Sequence, residues 1–430
     1  MKIGIISLGC CKNLVDSQKA MSFLKASGHS FVNDPKIAEV IVINTCGFIN
    51  DAKQESIDTI LQMADYKEYK LKYLIVMGCL VQRYREELER ELPEVDLFIS
   101  IDEYDDLEKI FNDFLNSKTI KSSEVILATS NYSAYLKIAD GCSNKCAYCA
   151  IPLIRKAYKS IEFEEIISQA KKLEAIGIKE LNLIAQDTTR YGIDLYGKYR
   201  LADLLYELNK MDFYWIRILY MYPDEINDEL LQAMANCKKV VPYFDIPVQH
   251  ASDRMLKLMN RRGSKKHIKE IVAKIKKRFE NPILRTTIIV GFPTETDEDF
   301  KELLEFIEEI KWDKLGAFTY SLEEDTASYE MEPKVEKQVA DKRLEELMLL
   351  QEKISQNNNE SYINQTIEVL VEGRDGLDKK LYQGRSYMNA PDGIDGHVRF
   401  ISSRDIETGD IVSVLIESVN VHDLFGKEVI

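Results

Sequence analysis

Residues 141–152 read GCSNKCAYCAIP, and the three cysteines, Cys142, Cys146 and Cys149, are spaced C-x3-C-x2-C directly behind a short apolar run that predicts a strand, Leu136–Ala139. Three thiolates at this spacing can hold three irons of a 4Fe-4S cluster and leave the fourth iron without a protein ligand. S-adenosylmethionine (SAM) can chelate such an open iron through its amino and carboxylate groups. An electron from the cluster then cleaves the sulfonium and yields a 5′-deoxyadenosyl radical. A structural zinc site is the alternative, but zinc takes four ligands in a closed tetrahedron, and no fourth cysteine or histidine lies near in the sequence.

Outward from this loop, apolar runs alternate with helical patterns from Ala134 to Tyr320. The candidate strands are Leu136–Ala139, Glu180–Ile184, Trp215–Leu219, Tyr243–Ile246, Leu284–Val290 and Gly316–Tyr320. Between the last two, Phe300, Leu303, Leu304, Ile307 and Ile310 recur at helical spacing behind Thr296 and Asp299, a cap-like start. Six strands predict a partial (β/α)6 barrel, open on one side. Barrels of this kind carry their sites at the C-terminal ends of the strands. Gln186, Asp187, Arg217, Gln249, His250 and the backbone of Gly291 are therefore the candidate SAM contacts. The same positions suit helix caps or substrate contacts, and His250 suits a hydrogen-bonded core histidine. Tyr148 suits shielding of the cluster or plain packing, Arg155 is similarly open, and no catalytic residue is expected beyond the cluster ligands.

Toward the N-terminus, residues 1–117 carry the βαβ signature of a parallel sheet, with strands at Ile3–Leu8, Val40–Asn44 and Tyr73–Met77. Cys10, Cys46 and Cys79 each fall just past the end of one of these strands. Strand ends of a parallel sheet share one edge, where ligands bind in open α/β folds, so the three thiols are expected to converge. A second 4Fe-4S cluster with one open iron, able to take an exogenous sulfur, is the reading; the bland alternative is three packing residues. Cys11 is expected to point away from Cys10 as on a strand, and Cys237 to pack behind a helix.

Toward the C-terminus, the core is expected over residues 128–360, after a polar linker at Lys118–Glu124 and ending in one charged helix, Lys334–Asn357. After Asn364 the pattern turns to alternating strands broken by glycines, as in Thr366–Gly373 and Ile411–Val421. Residues 363–430 thus predict a small all-β, OB-like barrel. Hydrophobic residues at 45% and charged residues at 30% imply order nearly throughout. No apolar run reaches the roughly 20 residues of a membrane span, so a cytoplasmic location without membrane contact is expected. There thiols stay reduced, which turns eight cysteines toward metal or catalysis rather than disulfides. The net charge of -15 disfavours non-specific attraction to nucleic acid.

SLGCCKNLVDSQ at 7–18, NTCGFI at 44–49, VMGCL at 76–80 and GCSNKCAYCAIPLIR at 141–155 together resemble the methylthiotransferase family of radical SAM enzymes, over essentially the whole chain. KNLVDS at 12–17, LIAQDTTRYGIDLYG at 183–197, DIPVQHASDRML at 245–256 and RTTIIVGFPTET at 285–296 look like its branch that modifies a ribosomal protein. The resemblance implies an N-terminal cluster domain, a radical SAM partial barrel and a C-terminal TRAM domain. It further implies methylthiolation of the β-carbon of an aspartate in small-subunit ribosomal protein twelve. SAM would serve twice, as methyl donor to sulfur on the Cys10/Cys46/Cys79 cluster and as radical source, and a sulfur donor and a low-potential electron donor would be partners. The chain departs from the pattern at Cys11, where the family more often has proline, and at Lys156, which replaces a glycine. Close relatives modify an adenosine in tRNA, so that substrate is one rival, and a non-catalytic iron-sulfur or zinc redox protein is another. From Gln365 to Ile430 there are 7 lysines and arginines against 12 aspartates and glutamates, a balance that repels phosphate and suits a basic protein.

Overall fold

The structure is a computed structural model that describes residues 1–120, 124–376 and 380–429. The expected linker at 118–124 therefore lies partly outside the described residues. At the N-terminus, β1 (Lys2–Ser7), β2 (Ser30–Phe31), β3 (Val40–Thr45), β4 (Tyr73–Gly78) and β5 (Leu97–Ile99) form an all-parallel sheet in the order β2-β1-β3-β4-β5. Every residue of β3 is buried because helices cover both faces. Ile41, Ile43, Leu74 and Val76 pack on one side against Ile60, Met63 and Leu88, from α2 (Asn50–Ala64) and α3 (Cys79–Glu91). Val40, Val42, Ile75 and Met77 pack on the other against Ala20 and Leu24 of α1 (Cys11–Ala26) and Phe111 of α4 (Leu107–Phe114). The parallel register of β1, β3 and β4 is what places their ends level with one another.

The central unit has β6 (Ser133–Lys137), a two-stranded ribbon of β7 (Ala139–Asp140) and β8 (Lys159–Ser160), then β9 (Glu180–Ile184), β10 (Trp215–Ile218), β11 (Tyr243–Asp245), β12 (Ile283–Val290) and β13 (Lys314–Thr319). Six of these strands make an open barrel in two parallel runs, β6-β9-β10 and β11-β12-β13, joined through a bridge between Ile216 and Val240. The first strand begins three residues before its expected start, and the last two residues before. Each begins on a polar residue ahead of the apolar run, Ser133 bonded to Glu180 and Lys314 to the Asp395 carbonyl. Outward residues such as Leu136, Leu181, Leu183, Ile216, Ile218 and Leu284 build the main core with the surrounding helices. Helix Asp297–Ile310 carries the capping box that Thr296 and Asp299 announce, and helix Lys337–Glu360 is the charged helix expected near 334–357.

β14 (Thr366–Arg374), β15 (Leu381–Arg385), β16 (Val398–Ile401), β17 (Ile411–Val419) and β18 (Leu424–Glu428) close into the expected C-terminal barrel, in the order β14-β15-β16-β18-β17. It is not an appendage. The inward residues Tyr135, Ile184, Trp215, Leu219 and Tyr243 of the open barrel share one apolar cluster with Val369, Val371, Met388 and Ala390. At the centre of that contact, buried Glu180 accepts from Arg217 at 3.0 Å and from Arg385 at 2.6 Å. Asp395 receives the Tyr243 hydroxyl at 2.5 Å and Arg285 at 3.3 Å. The C-terminal barrel thus seals the N-terminal end of the open one.

Candidate active site

Cys10 is the N-cap residue of α1, Cys46 follows β3 directly, and Cys79 opens α3 after β4. β1, β3 and β4 are neighbours whose ends align, with Ser7 opposite Asn44 and Thr45 opposite Gly78. The three thiols accordingly lie within electrostatic reach of one another. Gly9, at φ +83°, brings its loop so close that a β-carbon there would sit 2.8 Å from that of Cys46. Asn13 pins the arrangement, donating to the Leu8 carbonyl at 3.0 Å and the Thr45 carbonyl at 2.9 Å while its Oδ1 receives Cys79 Sγ at 3.4 Å. Burial pushes the Cys79 thiol up to about 12 against the lowering effect of Arg155. Cys11 stays out of the trio, but for a different reason than expected: it lies on the first turn of a helix, not on a strand, and its Sγ faces the Tyr220 hydroxyl at 3.4 Å.

The second trio lies on the loop after β7, at the C-terminal end of β6. The Cys142 N–H donates to Lys156 O at 3.0 Å, the Cys149 N–H to Cys146 O at 3.1 Å and the Ala147 N–H to Met259 O at 2.9 Å, which folds the loop over the barrel mouth. Lys156 adopts φ +59°, a conformation suited to the glycine it replaces, and pairs across to Asp102 of the N-terminal unit. Arg261 approaches Cys146 Sγ at 3.8 Å, and Asn144 is held by Asp187, Arg190 and Arg262. Tyr148 packs with Met255, Met259 and Phe292. Burial pushes the Cys142 thiol up to about 11 and raises Cys149 as well, so filling this site must displace protons from sulfur.

Arg155 touches both halves. Arg155 Nη2 donates to Asn13 Oδ1 at 2.7 Å and Asp16 Oδ2 at 2.8 Å and comes within 3.8 Å of Cys79 Sγ; its Nη1 donates to Asp140 Oδ2 at 2.9 Å. Lys137 completes the group with Asp16 at 2.6 Å and Asp140 at 2.8 Å. Two cations and two carboxylates thus neutralise each other between the trios. In the sequence Arg155 stands unassigned, and Asn13 and Asp16 enter only through a resemblance. Their spacing carried a usable signal, since i, i+3 positions on the first turns of a helix share a face.

The candidate SAM contacts separate into groups. Gln186 lies at the end of β9, donating to Asp140 Oδ1 at 3.1 Å, with its Oε1 buried and without a hydrogen-bond partner among the described residues. Asp187 caps the turn that follows, taking the Thr189 N–H at 3.1 Å, and receives Asn144 at 2.8 Å. Gln249, at φ +72°, hydrogen-bonds through its N–H to Thr287 O on β12. His250 Nδ1 accepts the N–H groups of Ala251 and Ser252 at 2.9 and 3.0 Å, which places its proton on Nε2, 3.7 Å from Glu295. That Nε2 is buried without a hydrogen-bond partner among the described residues, so His250 is only half satisfied as a core histidine. The Gly291 N–H donates to the same Glu295 carboxylate at 2.9 Å, and a β-carbon on Gly291 would meet that of Ala340 at 2.5 Å. Arg217 needs correction: its guanidinium runs back to Glu180, at the start of β9, and to the Tyr387 carbonyl, so it holds the C-terminal barrel and not the mouth.

The donor sets fit iron-sulfur clusters. Each trio consists of cysteines without disulfide partners, and each offers thiols alone. A closed tetrahedral zinc site needs its ligands gathered on one ion, and among the described residues no group of three or more His, Cys, Asp or Glu, the two trios included, is drawn that close; a cluster asks less, since each thiol would bind a different iron.

Residues 136–307 match the radical SAM superfamily, residues 2–100 the Uncharacterized protein family UPF0004 and residues 363–429 the TRAM domain. Among solved structures, the radical SAM methyltransferase TsrM from Kitasatospora setae, with cobalamin and a [4Fe-4S] cluster bound, superposes with a TM-score of 0.56 at 10% identity, over 76% of each chain. The cobalamin-dependent SAM radical enzyme OxsB superposes with a TM-score of 0.52 at 11% identity, over 81% of this chain and 56% of that one. At these identities the likeness concerns the fold. Fold, cysteine loop and matches together define a radical SAM enzyme that works with an iron-sulfur cluster and SAM.

Full-length relatives narrow the class. Proteins named ribosomal protein uS12 methylthiotransferase RimO are 44% identical in Acetivibrio thermocellus (99% of this chain, 98% of that protein), 47% in Clostridium botulinum (99% and 97%) and 46% in Aquifex aeolicus (100% and 97%). This chain belongs to that RimO family of radical SAM methylthiotransferases.

Proposed function

We propose that the chain methylthiolates the β-carbon of an aspartate in ribosomal protein uS12, with one 4Fe-4S cluster on Cys142, Cys146 and Cys149 and a second on Cys10, Cys46 and Cys79. The observation that supports this reading is Arg155, which lies 3.8 Å from Cys79 Sγ and pairs with Asp16 on one side and with Asp140, two residues before Cys142, on the other, so that it links the loops of two all-cysteine trios. When bound, the first cluster with SAM supplies a radical able to break an unactivated C–H bond, and the second carries the sulfur to be inserted. The chain's own residues hold these groups in register: Asn13 fixes the loops of Cys10, Cys46 and Cys79, and Arg155 and Lys137 fix that unit against Asp140 beside Cys142. Gln186, with its unpartnered Oε1 at the same mouth, is the best placed of the expected SAM contacts. The C-terminal barrel closes the opposite end and keeps water from that side. A sulfur donor and a low-potential electron donor complete the reaction, and a cytoplasmic site of action goes with them.

The charge of the C-terminal barrel argues against tRNA, though less simply than a count suggests. Much of its acid is used internally, and so is its base: Arg374, Arg385, Arg399, Arg404 and Lys427 each pair with a carboxylate of the same barrel. Few cations remain for phosphate, so filter binding to tRNA should be weak and show little dependence on salt. The deciding experiment is mass spectrometry of uS12 from cells lacking this gene. Loss of the mass of one SCH2 unit on an aspartate is expected; a persisting modification overturns the substrate assignment.

A further inference from the structure

We infer that Lys12 receives the carboxylate of the substrate aspartate and thereby makes the enzyme select an acidic side chain over its amide, an inference that rests on the function proposed above. Lys12 is the second residue of α1, two after Cys10, and only 6% of it is exposed. Among the described residues its ammonium has no ion-pair or hydrogen-bond partner. Its one polar contact is the face of Tyr220, whose ring centroid lies 3.0 Å from Nζ.

The nearby cations are not left in this state. Lys137 and Arg155 share Asp16 and Asp140, and Arg262 has Glu225 at 2.7 Å. Among the described residues no carboxylate pairs with Lys12, and Asp392, whose charge reaches the neighbouring Cys11, is taken up by the Tyr135 hydroxyl. An aromatic face contributes about 0.5–2 kcal/mol to a cation, while burial of an unpaired ammonium costs several. The site is therefore short of one anion.

Position says which anion. Tyr220 lies just past the C-terminal end of β10, is held at φ +59° and is fixed by the hydrogen bond from its N–H to Asp245 at 2.8 Å, and its hydroxyl faces Cys11. Lys12 thus stands at the barrel mouth, at the root of the loop that carries Cys10. In the reading above the SAM carboxylate belongs to an open iron and is already matched. The substrate brings the remaining one, a single bond from the carbon that must lose hydrogen. Gripping that carboxylate orients the β C–H, and an asparagine there would leave the ammonium buried and unpaired.

The test compares wild type, Lys12→Met, Lys12→Gln and Lys12→Arg holoenzymes on uS12 and on uS12 whose target aspartate is replaced by asparagine, with iron content measured for each. Wild type should prefer aspartate by about 10- to 100-fold in kcat/KM, the range of a hydrogen bond to a charged group. The two neutral variants should bring the preference to near unity, and Lys12→Arg should retain it. Binding of labelled peptides spanning the target, with either residue, should show the same collapse. Neutral variants that keep the aspartate preference overturn the inference. So does weakened SAM binding in the absence of uS12 with the preference intact, because the ammonium then serves the cofactor. A wild type that leaves uS12 unmodified defeats the functional reading itself, a separate outcome.

Discussion

Arg155 and Asp16 meet at 2.8 Å with side chains 2% and 4% exposed, and this contact joins the loop of one cysteine trio to the helix that begins at the other. The pair is not isolated, because Lys137 and Asp140 complete an alternation of charge in which each ion has at least one opposite neighbour. That arrangement favours registry over raw stability. A buried ion pair gains little over an apolar contact of the same size, yet it tolerates few alternative geometries.

Removing Arg155 should reveal both roles. Arg155→Met strands Asp16 and Asp140 with Lys137 alone, and the loss in denaturant unfolding should be about 3 kcal/mol, the lower end of the cost of breaking a buried pair. Cys79 Sγ also loses a cation 3.8 Å away. A positive neighbour stabilises the reduced, more negative cluster, so the midpoint of the N-terminal cluster in an EPR redox titration should move to lower potential, and Arg155→Lys should restore part of it. An unchanged midpoint would show that the arginine only docks the two units.

The trios should be separable by metal content. Cys79→Ala and Cys149→Ala should each lose about four of about eight irons per chain after anaerobic reconstitution. Cys79→Ala should still cleave SAM on reduction but insert no sulfur, whereas Cys149→Ala should do neither. Full iron in the Cys79→Ala protein would dissolve the second site.

Much of this site was legible because cysteine spacing and strand ends are local signals. The Cys142 loop is contiguous, and Cys10, Cys46 and Cys79 are each announced by the apolar run before them. Arg217 is not legible from its strand because the end of the barrel it serves depends on where its long side chain turns, and Glu180 and the C-terminal barrel decide that. Arg155 was unreadable for a related reason: its partners come from another unit, 139 and 142 positions away, and no periodicity reports such a contact. The strand at Ser133 began early because its inward face is polar where it meets Glu180.

Gly291 offers a test of packing at the rim. It sits at φ +73°, and a methyl group there would press on Ala340 at 2.5 Å, in helix Lys337–Glu360. Gly291→Ala should therefore cost about 2–4 kcal/mol, combining left-handed backbone strain with overpacking. Ala340→Gly should relieve part of it in the double variant, measured by denaturant midpoint. Simple additivity of the two substitutions would show that the contact is not the cause.

The junction of the open and closed barrels should weaken in acid through Glu180. Burial opposes its ionisation, but Arg385 and Arg217 outweigh that effect and hold the carboxyl down at about 2, against an ordinary value of 4.5. A group whose folded value lies below its unfolded one contributes stability that is whole above pH 4.5 and is lost as pH falls from there through about 2. The fluorescence of Trp215, in the apolar cluster beside this ion pair, should report the loss. Glu180→Gln leaves buried Arg217 without a carboxylate and Arg385 with Glu372 alone, so it should be less stable than wild type at neutral pH, and the gap between the two should shrink toward pH 2. A gap that stays constant over that range would place the acid sensitivity elsewhere, since no proton would then be taken up at Glu180 as the barrels part.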